Sequence, residues 1–98
     1  MNRDAVLAIL RSHEAPLRER GVKRAALFGS TARGESGADS DIDVMVEIDP
    51  AARIDLYAYV GITQFIEGLF PVPVDVAERD QFVEQVRKTA DKDAVYAF

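Results

Sequence analysis

The run Asp41 to Ile48 (DIDVMVEI) constrains the fold more than any other stretch of the chain. Ile42, Val44, Val46 and Ile48 alternate with Asp41, Asp43, Met45 and Glu47. A period of two is the signature of a β-strand lying on a core with one face and pointing the other outward. In such a strand Asp41 and Asp43 fall on the same face, about 6–7 Å apart along the backbone. Two like charges side by side repel, and a solvent-facing strand gains nothing from them. A divalent cation would reverse that penalty; a solvated acidic edge is the alternative reading.

The remaining elements arrange themselves around this strand. Asp4 to about Arg20 reads as a helix through Val6, Leu7, Leu10 and Leu17, with Asn2 as cap and Gly21 as stop. Pro16 should bend or split it, because proline removes a helical hydrogen bond. Val22 to Phe28 reads as a strand entering a Gly29-Ser30 turn, with one helical turn over Ser30 to Arg33 ended by Gly34. Glu35 to Ser40 is a loop, and Asp49-Pro50 closes the alternating strand. Ile54 to Phe70 reads as a second long helix stopped by Pro71. Val72 to Ala77 is a third strand; Pro73 places it at a sheet edge or makes it begin late. Asp80 to about Ala90 forms a last helix through Phe82, Val83 and Val86. The expected fold class is α/β (α+β): a small mixed sheet with helices packed on one face and acids on the other.

With 98 residues the chain is expected to form a single domain over 1–98 with a small core. Its 48% hydrophobic and 30% charged residues argue against disorder. No apolar run approaches the length that spans a bilayer, and the amino terminus lacks a signal-peptide layout, so a cytoplasmic setting with no membrane partner is expected. The absence of cysteine removes disulfides, thiolate metal sites and cysteine nucleophiles. A net charge of −5 disfavours duplex DNA, whose binding depends on neutralising phosphates, while leaving room for cation-mediated nucleotide binding or a basic protein partner.

Chemistry concentrates in Gly29 to Asp43 (GSTARGESGADSDID). Gly29 permits close backbone approach at a strand end, Ser30 supplies a hydroxyl, and the following turn offers free N–H groups to a phosphate. Arg33 could pair with a triphosphate or pack against acids. Asp75 stands on the polar side of the third strand and would bring a third carboxylate. Three strand-borne carboxylates suit hard cations such as Mg²⁺, which take oxygen ligands and share them with phosphates. Two competing motifs fail. Gly29, Gly34 and Ser36 fit P-loop spacing, but Glu35 replaces its lysine. An EF-hand from Asp39 would need glycine at Val44 and an acid at Pro50.

Gly29-Ser30, ten residues, Asp41-Ile42-Asp43 and a later strand aspartate together resemble the nucleotidyltransferase superfamily typified by DNA polymerase beta. The short length, Ala32-Arg33-Gly34 and Ser40 before Asp41 look most like the minimal nucleotidyltransferase (MNT) antitoxins that accompany HEPN ribonuclease toxins. The resemblance implies the nucleotidyltransferase fold, with Asp41 and Asp43 ligating two Mg²⁺ ions and Asp75 binding the ion nearest the acceptor and helping to deprotonate its hydroxyl. It implies that Gly29, Ser30, Arg33 and Ser40 serve nucleotide binding. It further implies transfer of AMP from ATP to a tyrosine hydroxyl of a partner HEPN toxin, within a hetero-oligomer. A rival expectation is an antitoxin that masks its toxin by contact, with a weak nucleotide site. An antibiotic nucleotidyltransferase fits less well, because the chain has no room for a substrate-enclosing second domain.

Other residues carry less. His13, the single histidine, sits on a helix flank. In the second long helix, Leu56, Tyr59, Ile62, Ile66 and Phe70 form one stripe beside another of Tyr57, Val60, Phe65 and Leu69. A small sheet covers one such stripe, so part of this helix is expected to be free to dock a partner.

Overall fold

The computed structural model describes residues 1–35 and 41–98. Helix α1 (Arg3–Ser12) is capped by Asn2, whose side chain accepts from the Ala5 N–H at 2.8 Å. Helix α2 (Glu14–Glu19) follows after a break at His13. The single helix read from the sequence is therefore split, as Pro16 requires. A proline ring collides with the carbonyl four residues earlier, here Ser12, the last residue of α1. Pro16 itself falls in the first turn of α2, where its missing N–H costs no intrahelical bond.

Strand β1 (Val22–Leu27) leads into the short helix α3 (Gly29–Arg33), and β2 (Ile42–Ile48) follows. Asp49 caps a 3₁₀ turn over Pro50–Ala52. Helix α4 (Leu56–Glu67) is shorter than the expected Ile54–Phe70 because Asp55 caps its start, accepting from the Ala58 N–H at 2.8 Å, and Gly68 closes it. Strand β3 (Val74–Glu78) starts after Pro73, whose carbonyl still accepts from the Ile42 N–H at 3.0 Å. A 3₁₀ turn (Arg79–Gln81) takes the start of the expected last helix, and α5 runs Glu84–Asp93 instead. The terminal residues form β4 (Val95–Tyr96).

The strands pair in the order β3-β2-β1-β4. Strand β1 runs antiparallel to both β2 and β4, while β2 and β3 are parallel, joined through α4. The sheet is mixed, as expected, and β3 lies at an edge, where Pro73 does no harm. On one face Val22, Ala25, Leu27, Ile42, Val44 and Val46 pack beneath Val6, Leu7, Leu10, Leu17, Ile62 and Ile66 of α1, α2 and α4. This is the dominant helical layer. The opposite face carries a smaller cluster in which Ala90 of α5 meets Ala26 and Met45, with Phe28 and Phe82 packed alongside. Burying a Leu or Ile side chain here stabilises by about 1.5–3 kcal/mol.

The two stripes separate only in part: Leu56, of the first, is exposed at the start of α4, while Phe65 and Leu69, of the second, reach the core. Ile62 and Ile66 are buried with Phe70, whereas Leu56, Tyr57 and Val60 are 74%, 89% and 42% exposed. Tyr59, Phe65 and Leu69 pack partly against the core.

Candidate active site

The acids gather where the amino-terminal ends of β2 and β3 meet. Asp43 and Asp75 are register partners in the parallel ladder, so they stand side by side on neighbouring strands about 4.8 Å apart. Asp43 alternates with the core residues Ile42 and Val44, which puts its side chain on the sheet face opposite α1 and α4. Asp41 precedes β2 and is exposed, Asp43 is half-buried, and Asp75 is exposed. Burial, followed by repulsion from Asp75 and more weakly from Asp41, raises the pKa of Asp43 above the usual carboxylate range. The hydroxyls of Thr31 and Ser30 act in the opposite direction.

Helix α3 is positioned against this pair. Gly29 opens it at φ +59°, and a Cβ there would stand 3.2 Å from Asp43 Oδ2. Both the left-handed backbone and the close approach favour glycine. The Ser30 hydroxyl lies 3.5 Å and the Thr31 hydroxyl 3.4 Å from Asp43 Oδ2. The Asp43 N–H donates to Thr31 Oγ1 at 3.0 Å, and the Phe28 N–H donates to the Asp43 carbonyl at 3.2 Å. These bonds lock the turn to the strand that carries the carboxylate. Thr31, 3% exposed, is the anchor that sequence reading passed over. No local pattern singles it out, because its role comes from the contact with Asp43, twelve residues along the chain.

Arg33, at the far end of α3, pairs with Glu35 at 2.9 Å and with Asp93 of α5 at 2.8 Å. It therefore packs against acids, one of the two roles read from the sequence. Gly34 ends the helix at φ +73°. Ser40 lies outside the described residues. A groove of about 310 Å³ opens between α3 and α5 beside Gly29, lined by Phe28, Val86 and Ala90 together with Arg33, Gln85, Thr89 and Asp93.

The donor set suits a hard cation. Adjacent carboxylates match the one or two carboxylates that Mg²⁺ takes from a protein while drawing its other ligands from phosphate and water. Among the described residues no group of three or more such side chains forms a ready-made cage. The arrangement is an adjacent pair, Asp43 and Asp75, with Asp41 at the approach.

Residues 10–97 match the family model described as nucleotidyltransferase domain. The protein adenylyltransferase MntA of Thermococcus cleftensis is 31% identical over 94 residues, covering 95% of this chain and 93% of that relative. A solved structure provisionally described as a minimal nucleotidyltransferase superposes with a TM-score of 0.82 at 26% identity, covering 97% of this chain and 95% of that one. A complex of tri-AMPylated Shewanella oneidensis HEPN toxin with MNT antitoxin shares the fold, with a TM-score of 0.63 at 17% identity over 94% of this chain and 71% of that one. The Gly-Ser turn, the paired strand carboxylates and these matches agree, and the chain belongs to the nucleotidyltransferase domain family.

Proposed function

We propose that this protein is an Mg²⁺-dependent adenylyltransferase antitoxin that moves AMP from ATP onto a hydroxyl, expected to be a tyrosine, of a HEPN-type toxin and so neutralises it. The observation carrying this reading is the register pairing of Asp43 with Asp75 beside the Gly29–Ser30–Thr31 turn. Support for the acceptor class comes from the MntA relative, named a protein adenylyltransferase, and from the AMPylated toxin held by a protein of the same fold.

Each group has a task in this reading. Gly29 and Ser30 hold the triphosphate through the first turn of α3, whose N–H groups lack intrahelical partners. Asp41, Asp43 and Asp75 would hold the two Mg²⁺ ions, which when bound would neutralise the charge that develops on the phosphoryl oxygens and lower the pKa of the acceptor hydroxyl. Thr31 fixes Asp43, so that the carboxylate is already in place to hold a cation without first reorganising. Asp75, exposed on the edge strand, faces the side from which a protein hydroxyl can approach and assists removal of its proton. The acceptor oxygen forms its bond to the α-phosphorus as the bridging P–O bond to the β-phosphate breaks, and pyrophosphate departs. Arg33 leaves Asp93 for the phosphates. Ser40 contributes to nucleotide binding.

A second reading has its own observation. Leu56, Tyr57 and Val60 form an exposed apolar patch on α4 that fits contact with a partner chain, and masking by contact alone would use it. Labelled ATP, Mg²⁺ and a cognate HEPN toxin separate the two readings. Label on the toxin that disappears in Asp43→Asn and Asp75→Asn supports transfer. Equal neutralisation by those variants with no added mass supports masking and overturns transfer.

A further inference from the structure

We propose that the groove between α3 and α5 receives the nucleoside half of the triphosphate, with Val86, Gln85 and Thr89 as its specificity-determining wall. The inference rests on the nucleotidyl-transfer reading and adds to it where base and ribose sit.

Position is the first support. The groove begins at Gly29, the residue that opens the phosphate turn, and ends at the Arg33–Asp93 pair. A nucleotide whose phosphates lie on α3 therefore meets it directly. Asp75, by contrast, stands on edge strand β3, with β2 between it and β1, the strand that feeds α3. The two sides of the acids are distinct, leaving the β3 side for the acceptor.

Size and lining are the second support. About 310 Å³ falls at the small end of the ~300–1,000 Å³ range of ligand pockets, which are mostly apolar with a few placed polar groups. Phe28 and Ala90 form an apolar floor, and Phe28 is held edge-to-face by Phe82 at a ring separation of 5.5 Å. Val86, half-exposed, supplies an apolar wall for a flat ring. Gln85 offers both a donor and an acceptor to a base edge, and Thr89 and Asp93 can bond ribose hydroxyls.

The test compares Mg²⁺-ATP with Mg²⁺-tripolyphosphate, which has phosphates and no nucleoside, in calorimetric titrations of wild type, Val86→Glu and Thr89→Trp. Both substitutions fall at exposed positions, where folding tolerates change. The expected result is ATP binding weakened on the order of tenfold in both variants, with tripolyphosphate affinity unchanged. ATP binding equal to wild type in both variants would overturn the groove assignment and leave the acids' role intact, as would unchanged ATP binding with impaired transfer to the acceptor, which would give the groove to the acceptor. Equal loss of both ligands would also overturn it. Wild type that binds neither ligand would bring down the nucleotidyl-transfer reading and this inference together.

Discussion

The two faces of β2 are built on opposite terms. Ile42, Val44 and Val46 are each at most 3% exposed beneath α1 and α4, and every contact on that side favours the folded state. One residue out of step, Asp43 lies half-buried against Asp75 and Asp41, and its charge is resisted by that setting. A single strand thus carries stability on one side and stored repulsion on the other. Such a division is expected where a fold holds a reactive site on rigid elements. Substitutions on the two faces should accordingly have opposite signatures.

The sharpest break is in activity. Asp43→Asn or Asp75→Asn should lower AMP transfer by roughly 100-fold or more, the effect of losing several kcal/mol of charge stabilisation, while the protein stays folded by circular dichroism. On the other face, Leu10→Ala should cost about 2–5 kcal/mol in denaturant melts and reduce activity only as the folded fraction falls. Thr31→Val joins the two effects. It leaves the Asp43 N–H without its 3.0 Å acceptor, costing about 1–3 kcal/mol, and loosens the carboxylate; Thr31→Ser should restore both.

The smallest effect is the most diagnostic in sign. The folded-state pKa of Asp43 is raised above its ordinary value of 3.8, so the folded protein holds that proton more tightly than the unfolded chain. Ionised Asp43 therefore costs stability. The cost is absent well below the ordinary pKa, develops as pH rises through the folded pKa, and is complete at neutral pH. Without metal, Asp43→Asn should melt at the wild-type temperature near pH 3 and slightly above it at pH 7. A variant that melts below wild type at pH 7 would show that the acidic face carries no repulsion.

Much of this division was legible in the residues. The strict alternation through Ile42–Ile48 fixed β2 and its faces, and Pro73 announced an edge strand that begins late. Gly29, Ser30, Asp43 and Asp75 meet because β1, β2 and β3 are neighbours, an arrangement that strand order supplies and local pattern does not. Pro16 warned of a broken helix, but the break falls at His13 because the clash acts four residues back. The pairing of Val95 and Tyr96 with β1 was invisible, since two residues are too few for any period to register. The second-face cluster around Ala90 was equally hidden. The apolar residues that mark this segment, Val83 and Val86, are exposed, and it is the small Ala90 that lets α5 sit close to Met45 and form the groove beside Gly29. Arg33 could be read as a phosphate or acid partner; its hold on Asp93 depends on a contact 60 residues along the chain.

The claim that the acidic face exists to hold a cation beside a nucleotide is tested most directly by thermal melting at neutral pH, with and without Mg²⁺ and a non-hydrolysable ATP analogue. Binding to the folded state raises the melting temperature. Wild type should melt higher when both are present, and the rise should vanish in Asp43→Asn and in Asp75→Asn. A rise of the same size in the two variants would contradict it.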